Sequence, residues 1–418
     1  MFWLRRLCAY SSLALVALVV AAGGRPSVAH AQPPAPRAWV LTLGPGDHPF
    51  FKFGHNAIWI EPPGGGGQVY NFGTFAFDSP ALIPKFIMGR FYYWLSVASL
   101  EETLWVYREA NRTIEAQELD LTPAEAHELA RRLDENARPA NREYLYDYFV
   151  DNCSTRVRDA IDGALGGALA RALDVPGTQS YRAHALRLTA DVPWEYTALD
   201  FALSGRTDFA PTRWQESFVP QVFQQALREV KLARPEGEVP LVKREVVLHP
   251  APGRLPPLER PPARTRWFLL SGLFVAAFVY GAARLAHRHR AARVALGGTL
   301  ALLGGVVGFA GAFLLFVWLA TNHTSSQANE NLLLAPPWLL ALAVWGLGVA
   351  RGRPRALHRT YGLVRLTLLV SLAGVVLKLL PGFRQETLHF QVFFLPVWLA
   401  ATVGLKEFRA ARNTSSSS

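Results

Sequence analysis

The chain has 418 residues, of which 50% are hydrophobic, and its 43 Lys and Arg outnumber its 32 Asp and Glu to give a net charge of +11. The basic residues cluster beside apolar runs in the second half, and no isolated basic face carries interleaved aromatic residues. The composition therefore argues against a nucleic-acid-binding protein and favours a membrane protein.

The first 31 residues are predicted to be an export signal. Arg5 and Arg6 form a basic n-region, residues 13–22 form an apolar h-region, and Ala29-His30-Ala31 matches a small-residue cleavage site. An uncleaved signal anchor is the alternative. In both cases the following segment crosses the membrane.

Residues 38–230 are predicted to form one α+β domain, because charges occur throughout and no apolar run is long enough to span a bilayer. Strands are predicted at 39–43, 55–60 and 68–72. The last two are separated by Pro62-Pro63 and four glycines, which indicates a hairpin. This hairpin would place His55 and Asn71 on neighbouring strands.

Two helix starts can be read from the sequence. Thr122-Pro123-Ala124-Glu125 combines a Thr cap, a proline at the first helical position and a glutamate three residues after the cap. A second helix is predicted to begin at Cys153, with Asp151 or Asn152 as its cap, and to stop at Gly166-Gly167.

Cys153 is the candidate nucleophile. Cys8, the other cysteine, lies in the predicted signal, so the exported chain would hold one thiol without a disulfide partner. In the first turn of a helix, free N–H groups and the positive end of the helix dipole favour a thiolate. The alternative is an inert buried cysteine.

His55 is the candidate general base, since an imidazole titrates near neutral pH. Gly54 before it would allow close approach of another backbone or a substrate. Asn71 is predicted to orient the imidazole, although a strand asparagine can also serve only its own turn. The sequence has no Cys-x-x-Cys, no His-Glu-x-x-His and no phosphate loop, so neither a metal nor a cofactor is predicted.

The second half is predicted to be a membrane domain. Residues 231–266 are rich in proline and arginine and are interpreted as a linker. An all-α domain with five transmembrane helices is predicted over 267–406, with a cytoplasmic tail at 407–418. The five apolar runs are 267–283, 294–320, 337–350, 363–380 and 388–405, of which the third is short.

Loop charges predict the orientation of this domain. The loops at 284–290, 351–355 and 406–412 are strongly basic and are assigned to the cytoplasm. The polar loop from Thr321 to Asn331 has no Lys or Arg and is assigned to the outside. It is interpreted as a solvated loop, with contact to a lipid headgroup as the alternative. The sequence thus predicts a multi-pass protein of the inner membrane with its catalytic domain on the periplasmic side.

The order of these features resembles the circularly permuted NlpC/P60 (papain-like) group, in which a histidine on an early strand precedes a cysteine that opens a later helix. More specifically, it resembles the Lnb lipoprotein N-acyltransferase family. The stretches that carry this resemblance are Pro45-Gly46-Asp47, Phe53-Gly54-His55, Tyr70-Asn71-Phe72-Gly73-Thr74-Phe75, Tyr146-Asp147-Tyr148-Phe149, Asp151-Asn152-Cys153-Ser154-Thr155-Arg156, Pro193-Trp194, Asp208 and Trp214 with Phe218-Val219-Pro220.

The resemblance implies an antiparallel sheet with helices, a Cys153 nucleophile and a His55 base. It implies transfer of an acyl chain from the glyceryl group of a lipoprotein to the amine of its N-terminal cysteine, so membrane lipids and lipoproteins are the expected partners. Asn152, Tyr148 and Arg156 are expected to contact the substrate. A cell-wall peptide hydrolase and an inert scaffold domain remain as alternatives, and no oligomeric state is predicted.

Overall fold

The computed structural model describes residues 34–76 and 81–416. The predicted signal and Cys8 lie outside the described residues. Within them, an antiparallel sheet has the strand order β6-β4-β3-β2-β1-β5-β9, and β7 and β8 form a separate hairpin. The strands are β1 (Arg37–Leu43), β2 (His55–Glu61), β3 (Gln68–Thr74), β4 (Tyr92–Ser99), β5 (Ile114–Leu119), β6 (Glu143–Leu145), β7 (Lys231–Arg234), β8 (Gly237–Pro240) and β9 (Val242–His249).

Helices cover both faces of the sheet. Those of the globular domain are α1 (Leu82–Ile87), α2 (Leu100–Glu109), α3 (Pro123–Ala137), α4 (Cys153–Ala164), α5 (Ala168–Leu173), α6 (Tyr181–Leu188), α7 (Pro193–Ala202), α8 (Arg213–Glu216) and α9 (Pro220–Glu229). Residues of α3, α4 and α9 share a core with one face of the sheet, which includes Ile58 and Phe72. Leu104 and Tyr107 of α2 pack on the other face, beside Ala57 and Trp59.

The locally encoded elements form as predicted. The three predicted strands correspond to β1, β2 and β3, and β2 pairs with β3 through Ile58↔Tyr70, Trp59↔Val69 and Ile60↔Gln68. Thr122 caps α3 in a reciprocal capping box with Glu125. Gly54 has a φ of +83°, and a Cβ there would lie 2.9 Å from the carbonyl oxygen of Leu43, so a close backbone approach does require glycine.

The domain extends beyond the predicted boundary at residue 230. Residues 231–249, which the sequence assigns to a linker, form β7, β8 and β9, and β9 pairs with β5 at the edge of the large sheet. Backbone pairing with a strand more than 120 residues earlier in the chain holds this segment in place. The linker is therefore shorter and follows His249.

The C-terminal part consists of apolar helices. They are α10 (Thr265–Leu285), α11 (Arg290–Ala320), α12 (Leu340–Ala350), α13 (Pro354–Leu377) and α14 (Leu388–Ser416). Four of them are long and apolar enough to cross a membrane. The third predicted span, Pro337–Ala350, would cover only about 21 Å of the roughly 30 Å hydrocarbon layer. The helical turns of Thr324–Leu333 precede it, and the two segments are bent by 58° relative to each other. The described part of the chain thus has four spans, or five if this bent pair crosses the membrane as one span.

Glycines allow the short helix to approach its neighbour closely. A Cβ on Gly304 would lie 2.4 Å from the Cβ of Leu342, and one on Gly308 would lie 2.4 Å from the amide nitrogen of Leu340. Small residues at helix interfaces permit such backbone contact in membranes. At the other end, α14 continues to Ser416, so the predicted tail from residue 407 is helical as far as the structure describes it.

The loop between α11 and α12 is an interface rather than a solvated loop. Asn329 and Asn331 are 2% and 0% exposed, and both donate side-chain hydrogen bonds to the carbonyl oxygen of Phe201 in α7. His323 Nε2 donates to the carbonyl oxygen of Phe86 in α1 at 2.9 Å. The interpretation as a solvated loop is thus wrong, because these polar groups satisfy backbone carbonyls of the globular domain. The domain is docked directly on its membrane helices.

Candidate active site

Cys153 is the first residue of α4, and Asn152 is its N-cap. The Asn152 Oδ1 accepts hydrogen bonds from the backbone N–H groups of Ser154 at 2.9 Å and Thr155 at 3.0 Å. The Thr155 hydroxyl in turn accepts from the Asn152 N–H at 2.8 Å. This capping box fixes the start of the helix. Of the two caps that the sequence allowed, the structure selects Asn152.

The sulfur of Cys153 lies among backbone donors. The N–H groups of Asn56, Ser154 and Cys153 itself act to lower the pKa of its thiol. The Ser154 hydroxyl donates to the Asn56 Oδ1 at 2.8 Å, which holds the start of α4 against β2. Asn56 directly follows His55 in β2, beyond the point where the β2–β3 ladder ends. Gly73 of β3 makes room there, because a Cβ on this residue would lie 3.2 Å from the Cβ of Cys153. The thiol therefore sits where β2 and β3 separate.

His55 and Asn71 form a contact across these two strands. The His55 Nε2 lies 3.4 Å from the Asn71 Oδ1. The Asn71 Nδ2 donates to the carbonyl oxygen of Val69 at 3.4 Å, which orients the amide oxygen towards the imidazole. In this arrangement Nε2 carries the proton and donates it to Asn71, so Nδ1 is the basic nitrogen of the neutral ring.

The imidazole and α4 approach the sheet from opposite faces. His55 stacks on Tyr107 of α2 at 6.1 Å between ring centroids and 15° between planes, whereas α4 packs on the other face. The residue after Cys153 nevertheless contacts the residue after His55, because the Ser154 hydroxyl donates to the Asn56 Oδ1. Tyr107, which stacks on His55, also interacts electrostatically with Cys153, so the two groups of the proposed pair share this neighbour.

A buried arginine adds a positive charge near the proposed pair. Arg112 is 4% exposed, and its guanidinium lies over the rings of Tyr107 at 4.6 Å and Phe51 at 5.3 Å. Its Nε donates to the carbonyl oxygen of Gly44 at 2.7 Å. Among the residues that the structure describes, Nη2 has no hydrogen-bond partner. Arg112 was not predicted as a site residue, because it follows α2 without any recognisable motif.

Burial keeps both reacting groups neutral at rest. It lowers the pKa of His55 to about 3, with the charge of Arg112 acting in the same direction and the Asn71 hydrogen bond opposing both. It also raises the pKa of Cys153 above its ordinary value of 9.0, although the three backbone N–H groups and Arg112 act to lower it. The prediction of a resting thiolate is therefore wrong, because desolvation outweighs the helix N-terminus.

The structure gives the three predicted substrate-contacting residues different positions. Asn152 is 5% exposed, and its Nδ2 donates to the carbonyl oxygens of Tyr148 and Phe218, both at 2.9 Å. With the two capping hydrogen bonds that its oxygen accepts, the side-chain amide of Asn152 is fully engaged by groups of the protein itself. Arg156 forms a two-point ion pair with Asp151 at 2.5 and 2.7 Å. Tyr148 is 36% exposed and thus available for contact.

An aromatic series connects the surroundings of the thiol with the membrane domain. The Tyr146 ring stacks on Tyr93 at 4.1 Å and meets Tyr148 edge-on at 5.7 Å. Tyr148 then stacks on His323, in the loop after α11, at 6.1 Å. Tyr146 and Cys153 pack against the same core cluster. The aromatic series thus extends from the core cluster against which Cys153 packs to the loop between the membrane helices.

Comparison with known proteins gives one family match, in the N-terminal part of the chain. Residues 29–187 match the model of the family described as the Lnb N-terminal periplasmic domain. This region is an Lnb N-terminal domain. The resemblance to the Lnb family is thereby confirmed, and with the apolar helices it identifies a multi-pass membrane protein with a periplasmic domain. No curated protein and no solved structure matches the chain.

The Lnb domain match covers His55, Asn71 and Cys153 but names no catalytic residue, so their roles and the papain-like topology stay predictions. Among the residues that the structure describes, no three His, Cys, Asp or Glu side chains are grouped to hold a metal ion. The chemistry available at the site is that of a thiol, an imidazole and backbone donors.

Proposed function

We propose that this protein is a lipoprotein N-acyltransferase that forms a thioester on Cys153. The observation that supports the proposal is the hydrogen bond from the Ser154 hydroxyl to the Asn56 Oδ1 at 2.8 Å. It holds the residue after Cys153 against the residue after His55, whose imidazole contacts Asn71. A nucleophile, a base and an orienting amide are the parts that acyl transfer through a thiol requires.

The first half-reaction forms the thioester. His55 Nδ1 takes the thiol proton while the sulfur of Cys153 attacks the ester carbon of the lipoprotein's glyceryl group. Because both groups are neutral at rest, this transfer accompanies the attack and does not precede it. The N–H groups around the sulfur stabilise the negative charge that develops. The glyceryl oxygen leaves with the proton from His55, which yields the lyso product.

The second half-reaction moves the acyl chain to nitrogen. The α-amine of the lipoprotein's N-terminal cysteine attacks the thioester carbon, and His55 accepts the amine proton. The C–S bond breaks, and the same proton returns to the sulfur of Cys153. Arg112 disfavours a persistent imidazolium, so the proton passes quickly to the leaving group in each step.

The surroundings favour an acyl chain over a cell-wall peptide as substrate. The aromatic series of Tyr146, Tyr148 and His323 offers apolar contact between the thiol and the membrane side. A docked domain meets a substrate of the same leaflet at high effective concentration. In this proposal Asn152 positions the nucleophile. Arg156 is paired with Asp151 and lies over the Tyr144 ring. Of the three predicted substrate-contacting residues, Tyr148 is therefore the one expected to contact the substrate.

The test is expression in bacteria that lack lipoprotein N-acylation, followed by mass spectrometry of lipoprotein N-termini. We expect N-acyl lyso-lipoprotein with the wild type, and none with Cys153→Ser or His55→Ala at equal protein levels in the membrane. The matched control is His127→Ala, which replaces a histidine of α3 and should leave the product unchanged. Altered wall peptides that depend on Cys153 would instead indicate a peptide hydrolase. Unchanged lipoproteins with the wild type would refute acyl transfer.

A further inference from the structure

A basic cavity lies on the membrane helices, on the side away from the periplasmic domain. It has a volume of about 360 Å³ and lies between α13 and α14. Arg365 and His358 of α13 and Arg409 of α14 line it, together with Leu366 and Leu369. None of these residues belongs to the candidate active site.

The charge in this cavity is only partly compensated. Arg409 donates to the His358 Nδ1 at 3.0 Å and lies over the Tyr361 ring at 4.5 Å. Neither partner is an acidic side chain. No hydrogen bond, ion pair or ring contact to Arg365 occurs within residues 34–76 and 81–416.

Arg365 lies near the start of the apolar run predicted at 363–380. It follows Pro354 by 11 positions, which is about 17 Å along the helix. Leu366 and Leu369 on the same surface are 47% and 53% exposed, as expected for a face that contacts lipid. An unpaired guanidinium on such a face is costly unless an anion accompanies it or the side chain reaches the headgroup region.

We propose that this cavity binds the phosphate of an anionic phospholipid of the cytoplasmic leaflet. Arg365 and Arg409 hold the phosphate from two helices, and guanidinium groups suit this because they donate in a planar fork. The exposed leucines contact the start of the acyl chains. Basic pockets between helices on the cytoplasmic side are a recurrent form of lipid recognition. A lipid is favoured over free phosphate because leucines line the same cavity.

The test uses the purified full-length protein in detergent with phosphatidylglycerol or phosphatidylcholine, and counts retained lipids by native mass spectrometry. We expect phosphatidylglycerol to be retained at least about tenfold better, and this preference to fall to near unity in Arg365→Leu with Arg409→Gln. The matched control is Arg355→Gln, which removes an exposed charge from the same helix outside the cavity.

Equal retention of both lipids by the wild type would overturn the proposal. An equal loss of the phosphatidylglycerol preference in Arg355→Gln would also overturn it, since the preference would then depend on net charge alone. Displacement of the bound lipid by millimolar inorganic phosphate would show a site for free anions and would also refute it.

A second inference concerns the active site and rests on the proposed function. Tyr144 of β6 is 7% exposed, and its hydroxyl has no hydrogen-bond partner among the described residues. The Arg156 guanidinium lies over its ring at 4.2 Å and is itself held by Asp151. A buried hydroxyl without a partner normally costs stability, so its retention calls for a reason.

The hydroxyl and Cys153 both lie close to Gly73. The point where Gly73 would carry a Cβ is 3.8 Å from the Tyr144 oxygen and 3.2 Å from the Cys153 Cβ. We infer that the Tyr144 hydroxyl donates a hydrogen bond to the acyl oxygen of the substrate bound at Cys153. Arg156 would then act as a positioning residue that holds the ring.

Tyr144→Phe removes only this hydroxyl. Loss of one oxyanion donor typically lowers kcat by about 100-fold or more, and we expect this with little change in KM and no fall in Tm. The control is Tyr70→Phe, whose hydroxyl donates to Asp134, and which should lower Tm while leaving kcat intact. A Tyr144→Phe enzyme with wild-type kcat would refute the inference, provided that Cys153→Ser is inactive; activity in Cys153→Ser would refute the proposed function itself.

Discussion

Replacing Asn71 by aspartate tests the proposed orientation of His55 most directly. The two side chains have nearly the same shape, so Asn71→Asp keeps an oxygen 3.4 Å from Nε2 but gives it a negative charge. At this separation and an effective dielectric constant of about 20, the attraction to an imidazolium is about 5 kcal/mol, or about 3.5 pKa units. Solvent screening at this partly exposed position lowers this value by an amount that depends on the salt concentration, so the expected rise lies between about 2 units and the unscreened 3.5 units.

The sign of the pH effect follows from the role of His55 as a base. Its pKa of about 3 leaves the wild-type imidazole neutral and active well below pH 6. Raising that pKa protonates the ring as the pH falls, so the acid limb of kcat/KM should move from near pH 3 to between about 5 and 6.5 in Asn71→Asp. Asn71→Ala removes a hydrogen bond that raises the pKa, so its acid limb should not move upward, although its rate should fall.

The assay is N-acylation of a synthetic diacylglyceryl-cysteine peptide in detergent, followed by mass spectrometry between pH 4 and 9. Alkylation of Cys153 by iodoacetamide gives a second readout that needs no substrate. The aspartate should stabilise a thiolate–imidazolium pair and accelerate alkylation near pH 7 relative to the wild type. Superimposable acid limbs for Asn71→Asp and Asn71→Ala would refute the assignment of Asn71 as the partner of His55.

Four further outcomes are expected. Wild-type Cys153 should alkylate slowly at pH 7, with a midpoint above 9.0, since burial raises its pKa; a midpoint below 8 would contradict this. Asn152→Ala should lower the free energy of unfolding by about 3 kcal/mol, because two accepted and two donated hydrogen bonds are lost. Gly73→Ala, at φ +85°, should reduce acyl transfer at least about tenfold through the clash with Cys153, whereas Gly64→Ala, which meets nothing within 4 Å, should not. Asn329→Ala should loosen the docked domain and increase its cleavage by protease under native conditions.

The parts of the fold that were predicted depend on local signals. The hairpin of β2 and β3 follows from alternating residues on each side of Pro62-Pro63 and the glycines, and the start of α3 follows from its Thr122 cap. Such signals act between residues that are close in the chain. The cap at Asn152 belongs to the same class, which is why the position of Cys153 in the first helical turn was predictable.

The parts that were missed depend on contacts between distant residues. Nothing within 231–249 shows that β9 will pair with β5, because the pairing partner lies more than 120 residues away. The polar loop from Thr321 to Asn331 has the composition of a solvated loop, and only the carbonyl groups at the end of α7 explain its burial. Arg112 likewise has no local signature, and its effect on the site appears only when α2 packs beside β2.

The largest difference between sequence and structure concerns the charge of the thiol, and it has a functional consequence. A helix N-terminus alone favours a thiolate, but burial of Cys153 raises its pKa and keeps the proton on the sulfur. Thiolates are the form that oxidants attack, and no other cysteine occurs among the described residues to rescue an oxidised one. A neutral thiol is therefore protected in an oxidising compartment. In the proposed mechanism it becomes a nucleophile only when a bound acyl group lets His55 remove the proton as the new bond forms.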